Sequence, residues 1–329
     1  MKIVFLTEGG KEIGLGHLMR AISLSDAFSE KGIIPSIYVN GDESVADILY
    51  NKKYRIFNWI DNFGDIKNEL CNADMAIIDS YKAPCELYEI ISSSSKQSVY
   101  IDDYLRIKYP TGTIINCNLY AERLEYPNTG NQRILKGSQF ALLRKEFWET
   151  PERHIRDNVE SILITMGGSD IRKLTLPVYN SVKDLFNEIR ISILISNAFS
   201  YKYYETLYEQ DNLHIWHSQT SREIKDLMDD ADLAISGAGQ TLLELASTGV
   251  PTIVVGIIEN QKFVIEAMAE ETLFDFAGWY DDKNLFINIC SKLNALRSRS
   301  IRYKKYQDLK KSVDGKGAQK IVHYLLEKC

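Results

Sequence analysis

The sequence predicts an α/β chain of two parallel-sheet domains, and three observations carry that prediction. Short apolar runs recur along the 329 residues, amphipathic segments separate most of them, and glycine-rich turns follow several. The length is enough for two domains of ordinary size, each with its own core. With 45% hydrophobic and 26% charged residues, the composition is that of a folded globular protein.

The elements follow in order. Ile3–Leu6, Pro35–Val39, Tyr54–Trp59, Met75–Asp79, Val99–Asp102 and Thr113–Cys117 read as strands. Helical patterns lie between most of them; in the first, Leu18, Ala21, Ile22, Leu24 and Phe28 share one face. Between about 119 and 150 the alternation lapses around Pro127, Asn128, Gly130 and Asn131, which predicts an irregular join. A second series opens with Ser161–Thr165 and continues through Ile191–Ile195, Leu213–Trp216, Leu233–Ser236 and Thr252–Val255. We expect two Rossmann-like domains, 1–150 and 151–329, facing across a cleft. The sequence leaves open whether the last helix, about 317–327, packs back on the first domain.

Composition also narrows the function. A formal charge of −6 with no long Lys/Arg run argues against a nucleic-acid partner. A diphosphate would then be held by backbone amides and helix N-termini. The five cysteines (71, 85, 117, 290, 329) are scattered, with no metal-ligand spacing, so we expect free thiols, no metal and no cofactor. Met1-Lys2 leads straight into a strand and no apolar run reaches membrane-spanning length. The expectation is a cytoplasmic protein without membrane insertion; the oligomeric state is left open.

The chemistry concentrates in a few turns. Glu12-Ile-Gly14-Leu-Gly16-His17-Leu-Met-Arg20 joins the first strand to the first helix. Such a turn brings backbone close to a ligand, yet Met19 stands where a dinucleotide fingerprint needs its third glycine. The loop instead places His17 at a helix start, where the positive dipole end favours the neutral ring, suited to general-base work. The alternative is an imidazole that caps its own helix. Met166-Gly167-Gly168-Ser169-Asp170 offers amides after the first strand of the second series, with Ser169 or Asp170 able to cap the next helix. In Ser236-Gly237-Ala-Gly239-Gln240-Thr241-Leu-Leu-Glu244, amides at the helix start can receive a diphosphate. Glu244, one turn in, can hold both hydroxyls of a ribose, or merely complement the helix dipole. Asn260-Gln261 follow the next strand and offer amides to a sugar or phosphate, or an N-cap. Asp79-Ser80-Tyr81 and Asp102-Asp103-Tyr104 close two strands of the first domain; their carboxylates can orient His17 or cap turns, and a tyrosine can meet an acetamido or hydroxyl group. Asp230-Ala-Asp232 reads as a helix end entering a strand rather than a metal pair.

With those residues in view, the chain resembles the two-domain GT-B nucleotide-sugar enzymes, and most of all the UDP-sugar hydrolases of pseudaminic acid biosynthesis. The resemblance rests on Ile13–His17 with Arg20, Ile78–Tyr81, Asp102-Asp103, Asn116–Ala121, Gly137 through Phe147, Met166–Asp170 and Asp314–Ala318. Ser80 stands where some relatives have histidine. The Ser236–Val255 run also resembles the nucleotide-binding segment of the UDP-GlcNAc transferase that completes lipid II. These likenesses imply a GT-B-like fold, Glu244 on the uridine ribose, Gln240-Thr241 on the diphosphate, and uracil read near Trp216-His217. They imply His17 as the base for water, with Tyr81 near the sugar. The implied reaction is metal-independent hydrolysis of UDP-2,4-diacetamido-2,4,6-trideoxy-altrose to free sugar and UDP. Two rival expectations are a GT-B glycosyltransferase with a UDP-N-acetylhexosamine donor, and a non-catalytic nucleotide-sugar binding protein.

Overall fold

The computed structural model describes all residues except 128–129, 131, 168–169, 186–188, 196–211, 218 and 328–329, and the side chains of all the rest except 260 and 269–271. Two compact units emerge, Met1–Lys145 with Lys316–Cys329, and Glu146–Gly315.

The first unit is a seven-stranded parallel sheet. Its strands are β1 (Ile3–Gly9), β2 (Ser36–Gly41), β3 (Lys53–Ile56), β4 (Met75–Asp79), β5 (Gln97–Ile101), β6 (Gly112–Asn116) and β7 (Gln132–Lys136). Helices α1 (Gly16–Glu30), α2 (Gly64–Cys71) and α3 (Cys85–Ser94) connect some of them. β1 and β4 are buried along their whole lengths, as strands of a sheet covered on both faces must be. The order β3-β2-β1-β4-β5-β6-β7 puts the reversal of winding between β1 and β4. At such a switch point the loops leaving adjacent strands diverge and open a crevice at their carboxyl ends.

β7 corrects the expectation of an irregular join over 119–150. It is an edge strand in which only Leu135 is buried, so hydropathy gives it no strand-like run. β3 also ends early, at Ile56; Trp59, expected within it, leaves the sheet and is fully buried, its indole N–H donating to the Thr7 carbonyl at 2.8 Å.

The second unit is a six-stranded parallel sheet of β8 (Ser161–Thr165), β9 (Arg190–Ile195), β10 (Leu213–His217), β11 (Leu233–Gly237), β12 (Thr252–Gly256) and β13 (Asp275–Trp279). Helices α4 (Thr175–Val182), α5 (Ser221–Asp230), α6 (Thr241–Thr248), α7 (Lys262–Glu271), α8 (Leu285–Ala295) and α9 (Arg299–Ser312) accompany it. The order β10-β9-β8-β11-β12-β13 repeats the device, with the reversal between β8 and β11. β13, absent from the sequence reading, has a register shift opposite Val254/Val255 and Gly278 at φ 136°. A strand broken this way carries no clean period. α5 ends at Asp230 and β11 begins at Leu233, so Asp230-Ala-Asp232 is the helix-to-strand passage expected.

The last helix, α10 (Gly317–Leu326), packs on α1 of the first unit, where Gln319 Nε2 donates to Glu30 Oε2 at 3.0 Å. Its buried face is Ala318, Ile321, Val322 and Leu325, and a Cβ at Gly317 would lie 2.3 Å from the Ala141 carbonyl oxygen. The contiguous division 1–150 and 151–329 therefore differs from the units observed, because the chain returns across the boundary. Cys71, Cys85, Cys117 and Cys290 are free. Among the described residues no helix is long and apolar enough to cross a membrane.

Candidate active site

The turn after β1 is closed by paired backbone bonds, Gly10 N–H to the Gly14 carbonyl at 3.1 Å and Gly14 N–H to the Gly10 carbonyl at 2.8 Å. Gly14 sits at φ 85°, the left-handed region that favours glycine, and a Cβ on Gly16 would meet open space. α1 then starts with no side-chain cap and no acidic residue in its first turn. His17 lies in that first turn, 8% exposed, beside the β1/β4 switch point.

Asp79, the last residue of β4, meets it. His17 Nδ1 lies 2.5 Å from Asp79 Oδ1. Asp79 also accepts Nε–H and Nη2–H of Arg20 at 2.9 and 2.8 Å, so both its oxygens act as acceptors. Two acceptors do not approach to 2.5 Å, so Nδ1 carries a proton, and in the neutral ring Nε2 is the nitrogen left with a lone pair. Arg20 Nη2 is 2.9 Å from Nδ1; both are donors aimed at the same Asp79 oxygen. Sequence reading anticipated a carboxylate orienting His17, and the structure makes it Asp79.

Arg20, one turn after His17 and 5% exposed, ties the cluster together by donating Nη1–H to Asp103 Oδ1 at 2.7 Å. Burial lowers its pKa, but the charges of Asp103 and Asp79 outweigh that and raise it well above the ordinary value. Burial likewise pushes the Asp103 carboxyl up, and Arg20 more than offsets it, aided by hydrogen bonds from Arg20, Tyr81 and Asn118. The carboxyl is held down at about 2. Asp102, next to it, is spent on the turn: it accepts Leu105 and Arg106 N–H and the hydroxyls of Tyr109 and Tyr126.

The Tyr81 ring packs nearly perpendicular to the His17 ring, with centroids 4.3 Å apart. Its hydroxyl donates to Asp103 Oδ2. Burial, then the charge of Asp103, raise the phenol well above its ordinary pKa. With its proton committed to Asp103, the oxygen is left to accept a hydrogen bond rather than give one.

The sequence reading missed Glu8. It stands at the carboxyl end of β1, 1% exposed, and accepts Ser80 Oγ–H at 2.9 Å and Tyr81 N–H at 2.8 Å. Its Oε1 lies 3.7 Å from His17 Nε2. The available signal was a lone charged residue near the end of a first strand that is apolar from Ile3 to Leu6.

In the second unit the turns that carry Gly167 and Gly239–Glu244 leave the two strands of the β8/β11 switch point. Gly167, after β8, has φ 80° and open space at its Cβ position; Gly168 and Ser169 lie outside the described residues. Asp170, 6% exposed, accepts Leu174 N–H at 2.7 Å and Thr175 N–H at 2.8 Å, capping α4 as expected. After β11, α6 begins at Thr241 with no side-chain cap, Gly239 and Gln240 are exposed, and Glu244 is half-buried in the first turn. The glycines differ in cause. A Cβ at Gly237 would meet Ile257 Cδ1 at 2.5 Å, so packing explains that one, whereas one at Gly239 would meet nothing.

Trp216 and His217 end the edge strand β10, three strands from β11 and so about 14 Å along the same carboxyl edge. The Trp216 indole N–H donates to Ser192 Oγ at 3.3 Å. Asn260 and Gln261 form a short 3-10 turn after β12; Gln261 Oε1 accepts Ile257 N–H at 2.8 Å and Ile258 N–H at 3.3 Å, so that oxygen serves the turn. Among the described residues no group of three or more His, Cys, Asp or Glu is placed to hold a metal ion.

No protein-family model matches the chain. An uncharacterized protein of Methanocaldococcus jannaschii is 25% identical over 80% of this chain, which spans only 57% of that protein. The spore coat polysaccharide biosynthesis protein SpsG of Bacillus subtilis is 24% identical over 82% of both chains. The Helicobacter pylori pseudaminic acid cytidylyltransferase and UDP-2,4-diacetamido-2,4,6-trideoxy-β-L-altropyranose hydrolase is 26% identical over 79% of this chain and 45% of its own length. The Campylobacter jejuni UDP-2,4-diacetamido-2,4,6-trideoxy-β-L-altropyranose hydrolase is 23% identical over 74% of this chain and 87% of its own. Among solved structures, Acinetobacter baumannii MurG has a TM-score of 0.67 at 14% identity, covering 100% of both chains. Anabaena Alr3699/HepE in complex with UDP and glucose has a TM-score of 0.62 at 12% identity, again over 100% of both. The chain thus has the GT-B fold of those glycosyltransferases and is a homologue of proteins named as UDP-2,4-diacetamido-altropyranose hydrolases of the pseudaminic acid pathway.

Proposed function

We propose that this protein hydrolyses a UDP-linked 2,4-diacetamido-2,4,6-trideoxyhexose to free sugar and UDP, in the making of pseudaminic or a related nonulosonic acid. The observation that carries the reading is the His17 Nδ1–Asp79 contact at 2.5 Å, which leaves Nε2 as a base for water. The names of the Helicobacter and Campylobacter relatives supply the substrate class. Water deprotonated by His17 attacks the anomeric carbon, and the diphosphate departs with the bonding electron pair. Nucleotide binding is assigned to the second unit: the diphosphate to the Gln240 and Thr241 amides at the uncapped start of α6, with Gly239 and Gly167 leaving room for close approach, the ribose to Glu244, and uracil to the Trp216-His217 strand end. Asn260 is assigned to the same ligand through its backbone amide and Gln261 through its side-chain Nε2, since the Gln261 backbone N–H is held by the Ile258 carbonyl at 3.0 Å. In the first unit Tyr81 accepts a hydrogen bond from the sugar, an acetamido N–H being the fitting donor, and the open backbone at Gly14 and Gly16 lets the substrate approach. The reaction needs no metal ion, and we assign it to the cytoplasm, where nucleotide sugars are made.

The fold likeness to MurG favours one rival, transfer of the sugar to an acceptor. The deciding experiment follows UDP release from UDP-2,4-diacetamido-2,4,6-trideoxy-altrose with no acceptor present. Release that His17→Ala abolishes supports the hydrolase. Release only when an acceptor is added establishes the transferase, and tight UDP-sugar binding with no release under either condition leaves a binding protein.

A further inference from the structure

Glu8 has no place in the mechanism so far, yet its surroundings are unusual. It is a buried carboxylate whose hydrogen-bond donors, Ser80 Oγ and the Tyr81 amide, are neutral. Its one ion-pair partner among the described residues is His17 itself. Burying a carboxylate is costly unless something compensates, and two neutral donors compensate only in part. The imidazole thus stands between two carboxylates, Asp79 of β4 at Nδ1 and Glu8 of β1 toward Nε2, with Arg20 of its own helix and the Tyr81 ring completing its surroundings.

The 3.7 Å between Nε2 and Glu8 Oε1 is too long for a direct hydrogen bond. It is short enough for one water to reach both atoms at about 2.8 Å. A water giving one proton to Nε2 and the other to Oε1 turns its lone pairs away from both.

We propose that Glu8 is a second catalytic residue, the acceptor that holds and aims the water His17 deprotonates; the inference rests on the hydrolase reading above. In the step, the water oxygen forms the bond to the anomeric carbon while its proton passes to Nε2. The bond from the anomeric carbon to the diphosphate oxygen breaks, its electron pair leaving on UDP. The second proton, held by Glu8, stays on the new sugar hydroxyl. As the imidazolium forms, its attraction to Glu8 and Asp79 rises together, so both carboxylates favour the transition state over the ground state.

The test compares Glu8→Gln and Glu8→Asp with the wild type for kcat, KM, UDP affinity and melting temperature. Glutamine can still accept the Tyr81 N–H and pair with Ser80, so a purely structural Glu8 predicts near-normal kcat. Here kcat of E8Q is expected to fall about 10- to 100-fold, with UDP affinity and melting temperature unchanged, and E8D to recover part of the loss. An E8Q enzyme within twofold of wild-type kcat overturns the proposal, as does a kcat loss matched by an equal loss of UDP affinity. If E8Q does not fold, E8D decides: reduced kcat with unchanged UDP affinity supports the role, and full kcat overturns it. A wild-type protein that releases no UDP without an acceptor sinks the hydrolase reading instead, whatever E8Q does.

Discussion

His17 and Asp79 meet at 2.5 Å across 62 residues of sequence, one at the start of α1 and the other at the end of β4. Each is delivered by a different strand of the same switch point, β1 through its loop and β4 directly. The contact puts a proton on Nδ1 and so decides which imidazole nitrogen the proposed reaction uses; changing Asp79 tests the tautomer.

Asp79→Asn places an amide N–H or carbonyl against Nδ1 and lets the ring take the wrong tautomer. Activity is expected to fall about 100-fold or more, mostly in kcat. Stability should drop by about 3 kcal/mol, since Arg20 loses a buried charge partner. Steady-state kinetics and denaturant unfolding measure the two effects separately. Unchanged kcat would show that Asp79 does not set the proton position.

Acid sensitivity should report on Asp103. Its folded-state carboxyl is held at about 2, below the ordinary 3.8, so it contributes stability above pH 4 that is lost as pH falls toward 2. The size is about 2 kcal/mol. Arg20→Met removes the main favourable cause, so it should flatten this part of the stability–pH curve besides destabilising the unit at pH 7. A wild-type stability flat from pH 4 to 2 refutes the pairing.

Glu244→Ala should raise KM for the UDP-sugar about tenfold or more, with a smaller effect on kcat. In the proposed role as ribose ligand, Glu244 acts equally in the ground and transition states, so the loss is one of uniform binding. The reverse pattern, kcat falling with KM unchanged, places Glu244 in the chemistry.

Treatment with EDTA should leave the rate unchanged, because the leaving diphosphate is assigned to amides and helix starts. Loss of activity in EDTA, restored by Mg²⁺ or Mn²⁺, would falsify that assignment.

How much of this was legible in the chain follows from where each residue sits. The central strands declared themselves: β4 and β12 lie in covered parallel sheets, so every position is buried and the apolar runs Met75–Ile78 and Ile253–Val255 stand out. β7 was hidden because a sheet edge buries only part of its residues, and β13 because a register shift breaks its period. The turn chemistry of Gly14–Arg20 and Gly237–Glu244 also showed, since local spacing alone puts a histidine or a carboxylate in the first turn of a helix.

The sequence by itself determined the α/β class, the two series of strands, and the identity of His17, Arg20, Asp79 and Tyr81 as chemical candidates. Only the tertiary structure decided which partners they take. Asp79 and Asp103 share Arg20 while the neighbouring Asp102 caps a turn, a distinction that identical residue types one position apart cannot carry. The partners of Glu8 likewise emerged only when β1 was set beside β4. Strand order in a parallel sheet is fixed by non-local packing, and with it which strand ends, and therefore which charges, share one crevice.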